Sequence, residues 1–76
     1  MQIDKTEFNY QRQIARMTVR DVAKLLGIST QAVYKKINGK AKWTVDEYYQ
    51  IRSAFNLSEE KALEIFFAEE VAKMET

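Results

Sequence analysis

The amino-acid sequence predicts an all-α fold, a single domain of five helices over residues 1–76. Three observations favour this class. The chain is 46% hydrophobic and 30% charged, with no proline and two glycines, as in soluble helical domains. Apolar residues recur at spacings of three and four in successive segments. Serine, threonine or aspartate precedes each segment, and these residues favour helix N-termini.

The first predicted helix begins at Asp4, whose carboxylate can accept hydrogen bonds from free N–H groups of the first turn. Glu7 follows three residues later, where its side chain could reach back to the cap. The apolar residues expected on and beside the buried face are Phe8, Tyr10, Ile14, Ala15 and Met17.

The second and third helices are predicted to form a helix-turn-helix over about residues 19–38. Thr18 is placed to cap the second helix, which ends at Gly27, the residue best suited to a left-handed backbone. The apolar side of this helix is expected to hold Val22, Leu25 and Leu26. Ser29 caps the third helix, which stops at Asn38. Such a short connection predicts that the two helices cross steeply.

A basic loop over residues 40–43 leads to the fourth helix, which begins at Thr44 with Glu47 in the position of a capping box. Its apolar residues are Tyr48, Ile51 and Phe55. Asn56 ends it, and Ser58 begins the fifth helix. The stripe predicted to face the core there comprises Leu63, Phe66, Phe67, Val71 and Met74.

Two apolar features of the C-terminal half of the chain have alternative interpretations. Trp43 lies where the loop meets the fourth helix, and a lid on the core is favoured over a stacking role for its ring. A second small patch on the fifth helix comprises Ile65, Ala68 and Ala72. It is either a dimer contact or ordinary surface, and the sequence favours neither.

The charge is distributed unevenly along the chain although the net charge is only +1. Residues 19–42 carry six basic residues against one acidic residue, a net charge of +5. Residues 43–76 carry three basic and eight acidic residues, a net charge of −5. The central segment therefore suits a polyanion, and the acidic C-terminal part is expected to face away from it.

The composition argues against several classes of protein. The chain has no cysteine and no histidine, which removes the usual zinc sites and histidine-assisted catalysis. We therefore expect no catalytic residues, metal, cofactor or small-molecule substrate. The longest apolar run, Ile65–Ala68, is far shorter than a membrane span, and the N-terminus lacks a signal-peptide pattern. A cytoplasmic protein without membrane contact is expected.

The third predicted helix has two different faces at about 100° per residue. The side expected to pack comprises Ala32, Val33, Lys36 and Ile37. The opposite side comprises Gln31, Tyr34, Lys35 and Asn38, with groups able to bind base edges or phosphates. Taken alone, such a polar face is more often ordinary solvated surface.

The spacing around this helix adds a second signal, since a small residue, a turn residue and an anchor follow in order as Ala23, Gly27 and Val33. The segment Thr18–Lys40 resembles the Cro and repressor class of phage and bacterial helix-turn-helix regulators, whose fold is lambda-repressor-like. Lys36-Ile37 and Phe66-Phe67 are similar to small Cro-like proteins of phages of Gram-positive bacteria.

The resemblance implies roles for particular residues. Candidates for contacts with DNA bases are Ser29, Thr30, Gln31 and Lys35, and the exposed face of the third helix adds Tyr34. Candidates for phosphate contacts are Asn38, Lys40 and Lys42, and we expect the same role for Thr18 and Arg20 near the start of the second helix. The chain departs from the family at Val19, where a phosphate-binding glutamine is common. It also departs at Arg12, because the position of its usual acidic partner holds Ile37.

The expected function is a Cro-like repressor that binds a double-stranded DNA operator, as a homodimer on two half-sites, in a bacterial or phage-infected cell. The alternative is an antirepressor or interaction module that binds a partner repressor protein. An enzyme is the least favoured class. Salt-dependent binding to random duplex DNA would distinguish the DNA-binding repressor from the protein-binding module.

Overall fold

The computed structural model describes residues 3–68 and confirms the predicted all-α class, with five helices and no strand in that range. They are α1 (Lys5–Ile14), α2 (Val19–Leu26), α3 (Thr30–Ile37), α4 (Val45–Ala54) and α5 (Glu59–Phe66). None of the helices within this range combines the length and apolar character that a bilayer crossing requires. The positions predicted at Val71, Ala72 and Met74 lie outside the described residues.

Each helix begins at a polar side chain that accepts a hydrogen bond from the backbone N–H three residues later. The five caps are Asp4, Thr18, Ser29, Thr44 and Ser58. Thr18 and Thr44 form reciprocal capping boxes with Asp21 and Glu47. The reciprocal bond expected from Glu7 is not formed, because its carboxylate instead accepts from the Gln11 side chain at 3.0 Å and lies 3.5 Å from Lys61 Nζ.

Aromatic side chains form the centre of the core. The ring centroid of Phe8 lies 5.4 Å from that of Trp43 and 5.5 Å from that of Phe55. Phe66 packs edge-on against Trp43 with a centroid distance of 5.2 Å. Trp43 is buried, as the core-lid interpretation predicts, and its ring joins the start of α4 to residues of α1 and α5. Such offset and edge-on pairs favour one arrangement of the rings beyond the effect of burial.

The structure corrects the predicted face of α1. Phe8 is fully buried, whereas Tyr10 and Ile14, expected in the core, are each 57% exposed. Leu25 of α2 is likewise exposed. The helix α1 packs mainly against α5, and α2 packs against α3 and α4, which leaves Tyr10, Ile14 and Leu25 uncovered.

The predicted face of α5 is wrong at two positions. Leu63 is 38% exposed, while Ile65, assigned to a possible dimer patch, is fully buried. α5 lies between α4 and α1, and the backbone N–H of Asp4 donates to the Ile65 carbonyl at 2.8 Å. Neighbours on both sides therefore cover Ile65, and Ala68 is itself half-buried. Ile65 is therefore not available for the dimer contact considered from the sequence, and Ala72 lies outside the described residues.

Candidate nucleic-acid interface

The turn between α2 and α3 has the predicted geometry. Gly27 adopts a left-handed conformation, with φ 69° and ψ 32°, and the N–H of Ile28 donates to the Ala23 carbonyl at 3.0 Å. An added Cβ at Gly27 would meet no atom within 4 Å. The requirement for glycine there is therefore conformational, since side chains disfavour positive φ.

Buried residues on α2 and α3 hold the pair together. Ala23 is 5% exposed, Val22 and Val33 are fully buried, and all three belong to one core cluster. Ile37, one turn beyond Val33, joins the same cluster. The angle of α3 is therefore set by the core of the whole domain as well as by its connecting turn.

The two predicted faces of α3 are observed. Val33 and Ile37 are buried, and Ala32 and Lys36 are half-buried. The opposite side is exposed and consists of Gln31, Tyr34, Lys35 and Asn38. Ser29 and Thr30 lie exposed at the start of the helix. The Ser29 hydroxyl already accepts from the Ala32 N–H at 3.1 Å, so only its O–H proton and a remaining lone pair are available to a ligand.

Five exposed basic side chains lie on α2, on α3 and on the loop that follows α3. They are Arg20, Lys24, Lys35, Lys40 and Lys42, and none has an acidic partner within residues 3–68. Lys40 and Lys42 follow Gly39, which has φ 79° and turns the chain after α3. The N–H of Lys40 donates to the Lys35 carbonyl at 2.8 Å, which ties the start of this loop to the helix.

Thr18, a candidate phosphate contact, also caps α2 as the sequence predicted. Its backbone N–H donates to Asp21 at 2.8 Å, and its hydroxyl accepts from the Asp21 N–H at 3.1 Å. The hydrogen bond from this backbone N–H, aided by the hydroxyl, lowers the pKa of Asp21 below its ordinary value. The backbone N–H of Thr18 is therefore already paired with Asp21 and is not free to donate to a phosphate.

A mostly buried ion pair behind the exposed face was not predicted from the sequence. Lys36 Nζ lies 3.0 Å from Glu47 Oε1 and donates to the Lys42 carbonyl at 2.7 Å. The indole N–H of Trp43 donates to the Lys36 carbonyl at 3.1 Å, and Lys36 Nζ lies 5.9 Å from the centre of the Trp43 ring. We call Lys36, Lys42, Trp43 and Glu47 the Lys36 cluster. It joins α3, the basic loop and the first turn of α4.

The contacts of Glu47 with Thr44 and Lys36 affect its pKa. Burial alone would raise the pKa of Glu47, but the backbone N–H of Thr44 and the ammonium of Lys36 outweigh burial and lower it. The side chains of Lys36 and Glu47 are only 13% and 12% exposed. A lysine on the apolar side of α3, followed by an acid at the third position of α4, was the signal that could have revealed the pair.

Arg12 makes hydrogen bonds in place of the ion pair that is usual in the Cro and repressor class. This agrees with the sequence, in which Ile37 occupies the position of the acidic partner. Its guanidinium donates to the Met17 carbonyl at 2.8 Å and to Asn9 Oδ1 at 3.3 Å. Arg12 therefore fastens the connection between α1 and α2. The ionic support for α3 comes instead from Lys36 and Glu47.

The fold and this surface define a small five-helix domain in which a tight turn joins two helices and a polar, basic face lies on the second of them. A family model described as BetR domain matches residues 2–72, so the chain belongs to the BetR domain family. The match is to the BetR family and not to the Cro and repressor class that the sequence resembles. Both families are compatible with a small helical domain. No curated protein and no solved structure matches the chain.

Proposed function

We propose that this BetR domain is a sequence-specific DNA-binding regulator, a Cro-like repressor that inserts α3 in the major groove of a double-stranded operator. One observation carries the proposal: α3 has an exposed polar face opposite a side anchored by Val33, Ile37 and the Lys36 cluster. A groove-binding helix needs both features, because its side chains must reach the bases from a fixed position.

The exposed groups on α3 suit base recognition. The amide of Gln31 can both donate to and accept from an adenine edge, and the ammonium of Lys35 can donate to guanine. The proposed base-contacting set is Ser29, Thr30, Gln31, Tyr34 and Lys35. The proposed phosphate-contacting set is Thr18, Arg20, Asn38, Lys40 and Lys42. For Thr18 the contact must come from the hydroxyl, since its N–H is bound to Asp21.

The distribution of charge supports the same orientation. The exposed cations of residues 19–42 lie on α2, α3 and the following loop. The exposed carboxylates of α5, on Glu59, Glu60 and Glu64, belong to a helix that packs mainly against α1 and α4. Attraction to phosphate at one side and repulsion at another would steer α3 toward the DNA.

The test is selection of a preferred duplex from a random pool, followed by titration of two matched variants. Gln31→Ala should weaken binding to the selected duplex by about 5- to 150-fold, as expected for the loss of one good base contact. Gln13→Ala removes an exposed glutamine from α1 and should leave affinity unchanged. Binding to unrelated duplex should change little in either variant, because phosphate contacts dominate it.

Two outcomes would contradict the proposal. An equal loss of specific and nonspecific affinity in Gln31→Ala would remove its role in base recognition. Absence of salt-dependent binding to any duplex would favour the alternative function, an antirepressor or interaction module that binds a partner repressor protein.

A further inference from the structure

An apolar groove of about 400 Å³ lies between α4 and α5, away from the exposed face of α3. Three of its lining side chains are strongly exposed for apolar residues: Val45 at 71%, Tyr49 at 57% and Leu63 at 38%. The half-buried rings of Tyr48 and Phe67 form part of its wall. The groove is thus lined by apolar groups from two helices.

A second, shallower groove continues this surface onto α2. Tyr49 lines both grooves, and Leu25 of α2, 38% exposed, lines the second. We call Leu25, Val45, Tyr49 and Leu63 the Tyr49 surface. Within residues 3–68 it holds four of the seven exposed large hydrophobic side chains. Isolated apolar side chains are ordinary on a protein surface, but such a concentration marks an interaction site.

The charges in the main groove suit one kind of partner. Arg52 of α4 and Glu59 of α5 line the same groove, and neither is ion-paired within the described part of the chain. A two-fold interface brings the same surface of both subunits together, so that residue i meets residue j and j meets i. A groove that holds one cation and one carboxylate among apolar residues is therefore complementary to itself.

We propose that the Tyr49 surface binds a second copy of this chain in a two-fold dimer, with Arg52 of each subunit meeting Glu59 of the other. This rests in part on the proposed function, because one helix reaches too few base pairs for useful specificity and two half-sites need two subunits. No residue of α3 lines either groove, so the dimer contact leaves the exposed face of α3 free.

The first test measures self-association of the whole chain without DNA, by sedimentation over a range of concentrations. The parent protein should change from monomer to dimer, and Tyr49→Glu should raise the dissociation constant tenfold or more, as at the centre of an interface. Tyr10→Glu is a matched control, because Tyr10 is equally exposed at 57% but lies on α1, outside both grooves. It should dimerise like the parent.

The second test exchanges the charges. Arg52→Glu and Glu59→Arg should each fail to dimerise alone, whereas an equimolar mixture of the two should form a heterodimer, since both cross-contacts then pair opposite charges. Circular dichroism of each variant checks that it is folded. This matters for Arg52, whose Nε also donates to the Leu57 carbonyl at 3.5 Å.

A parent that stays monomeric at every concentration would overturn the proposal, as would equal weakening by Tyr49→Glu and Tyr10→Glu. Single charge variants that dimerise normally would remove the Arg52 to Glu59 contact. These measurements of self-association need no DNA. A failure of the proposed DNA binding is therefore distinguishable, because self-association would remain while duplex binding would be absent.

Discussion

Replacing Lys36 by methionine should destabilise the domain through Glu47. Lys36→Met keeps most of the side-chain volume but leaves the Glu47 carboxylate, 12% exposed, without its cation. It also removes the donor to the Lys42 carbonyl. Glu47 retains the hydrogen bond from the Thr44 N–H at 2.9 Å, which limits the loss. The free energy of unfolding should therefore fall, because the substitution leaves an unpaired and mostly buried charge.

The magnitude follows from how far the pair is buried. Removing one partner of a fully buried pair costs about 3 to 5 kcal/mol, whereas an exposed pair contributes about 0 to 1 kcal/mol. With side chains 13% and 12% exposed and one remaining hydrogen bond, we expect a loss of about 2 kcal/mol for Lys36→Met. In a domain of this size that lowers the melting temperature by roughly 8 to 16 °C.

The assay is thermal unfolding of Lys36→Met beside Lys24→Met, which removes an exposed lysine from α2. The control should change the free energy of unfolding by less than about 0.5 kcal/mol. Because the loop that bears Lys40 and Lys42 would lose the hydrogen bond from Lys36 Nζ to the Lys42 carbonyl, duplex affinity measured well below the melting temperature should also fall. Lys36→Met melting like the parent would refute the structural role assigned to the cluster.

The same pair predicts a dependence on pH. The folded-state pKa of Glu47 lies below its ordinary value of 4.5, so its contribution is present above that value and is lost as the pH falls through the folded pKa. The difference in stability between the parent and Lys36→Met should therefore be constant near neutrality and shrink below about pH 4.5. A difference that is the same at acid and neutral pH would show that Lys36 acts only through packing.

Three further predictions concern the turn, the helix crossing and the charged surface. Gly27→Ala should cost about 1 to 2 kcal/mol in urea unfolding, since φ is 69° and the loss is purely conformational; an unchanged midpoint would contradict that view. Ala23→Leu should destabilise by about 1 to 3 kcal/mol or splay the helices, and in either case abolish duplex binding, whereas Glu60→Ala should leave both properties unchanged. If a dimer neutralises about six phosphates, log affinity against log salt should have a slope near −5, and a slope shallower than about −2 would favour the protein-binding alternative.

The sequence by itself determined the helices, their caps and the turn. These features depend on groups three or four residues apart, such as the Thr44 hydroxyl and the Glu47 N–H, so a short stretch of chain contains all the information. The two faces of α3 were predictable for the same reason, because the helical period alone places Val33 and Gln31 on opposite sides. The BetR family was not predicted; the resemblance pointed to the Cro and repressor class. The DNA roles of the site residues stay predictions.

Only the tertiary structure decided which side of each helix is covered and what lies behind the exposed face. Ile65 is buried and Leu63 exposed because α1 and α4 enclose α5 from two directions, which no periodicity within α5 can indicate. Lys36 and Glu47 are eleven positions apart and meet only because the loop between α3 and α4 brings the start of α4 back to α3. Contacts of this kind depend on chain closure and on the packing of several elements at once, and a local pattern does not contain them.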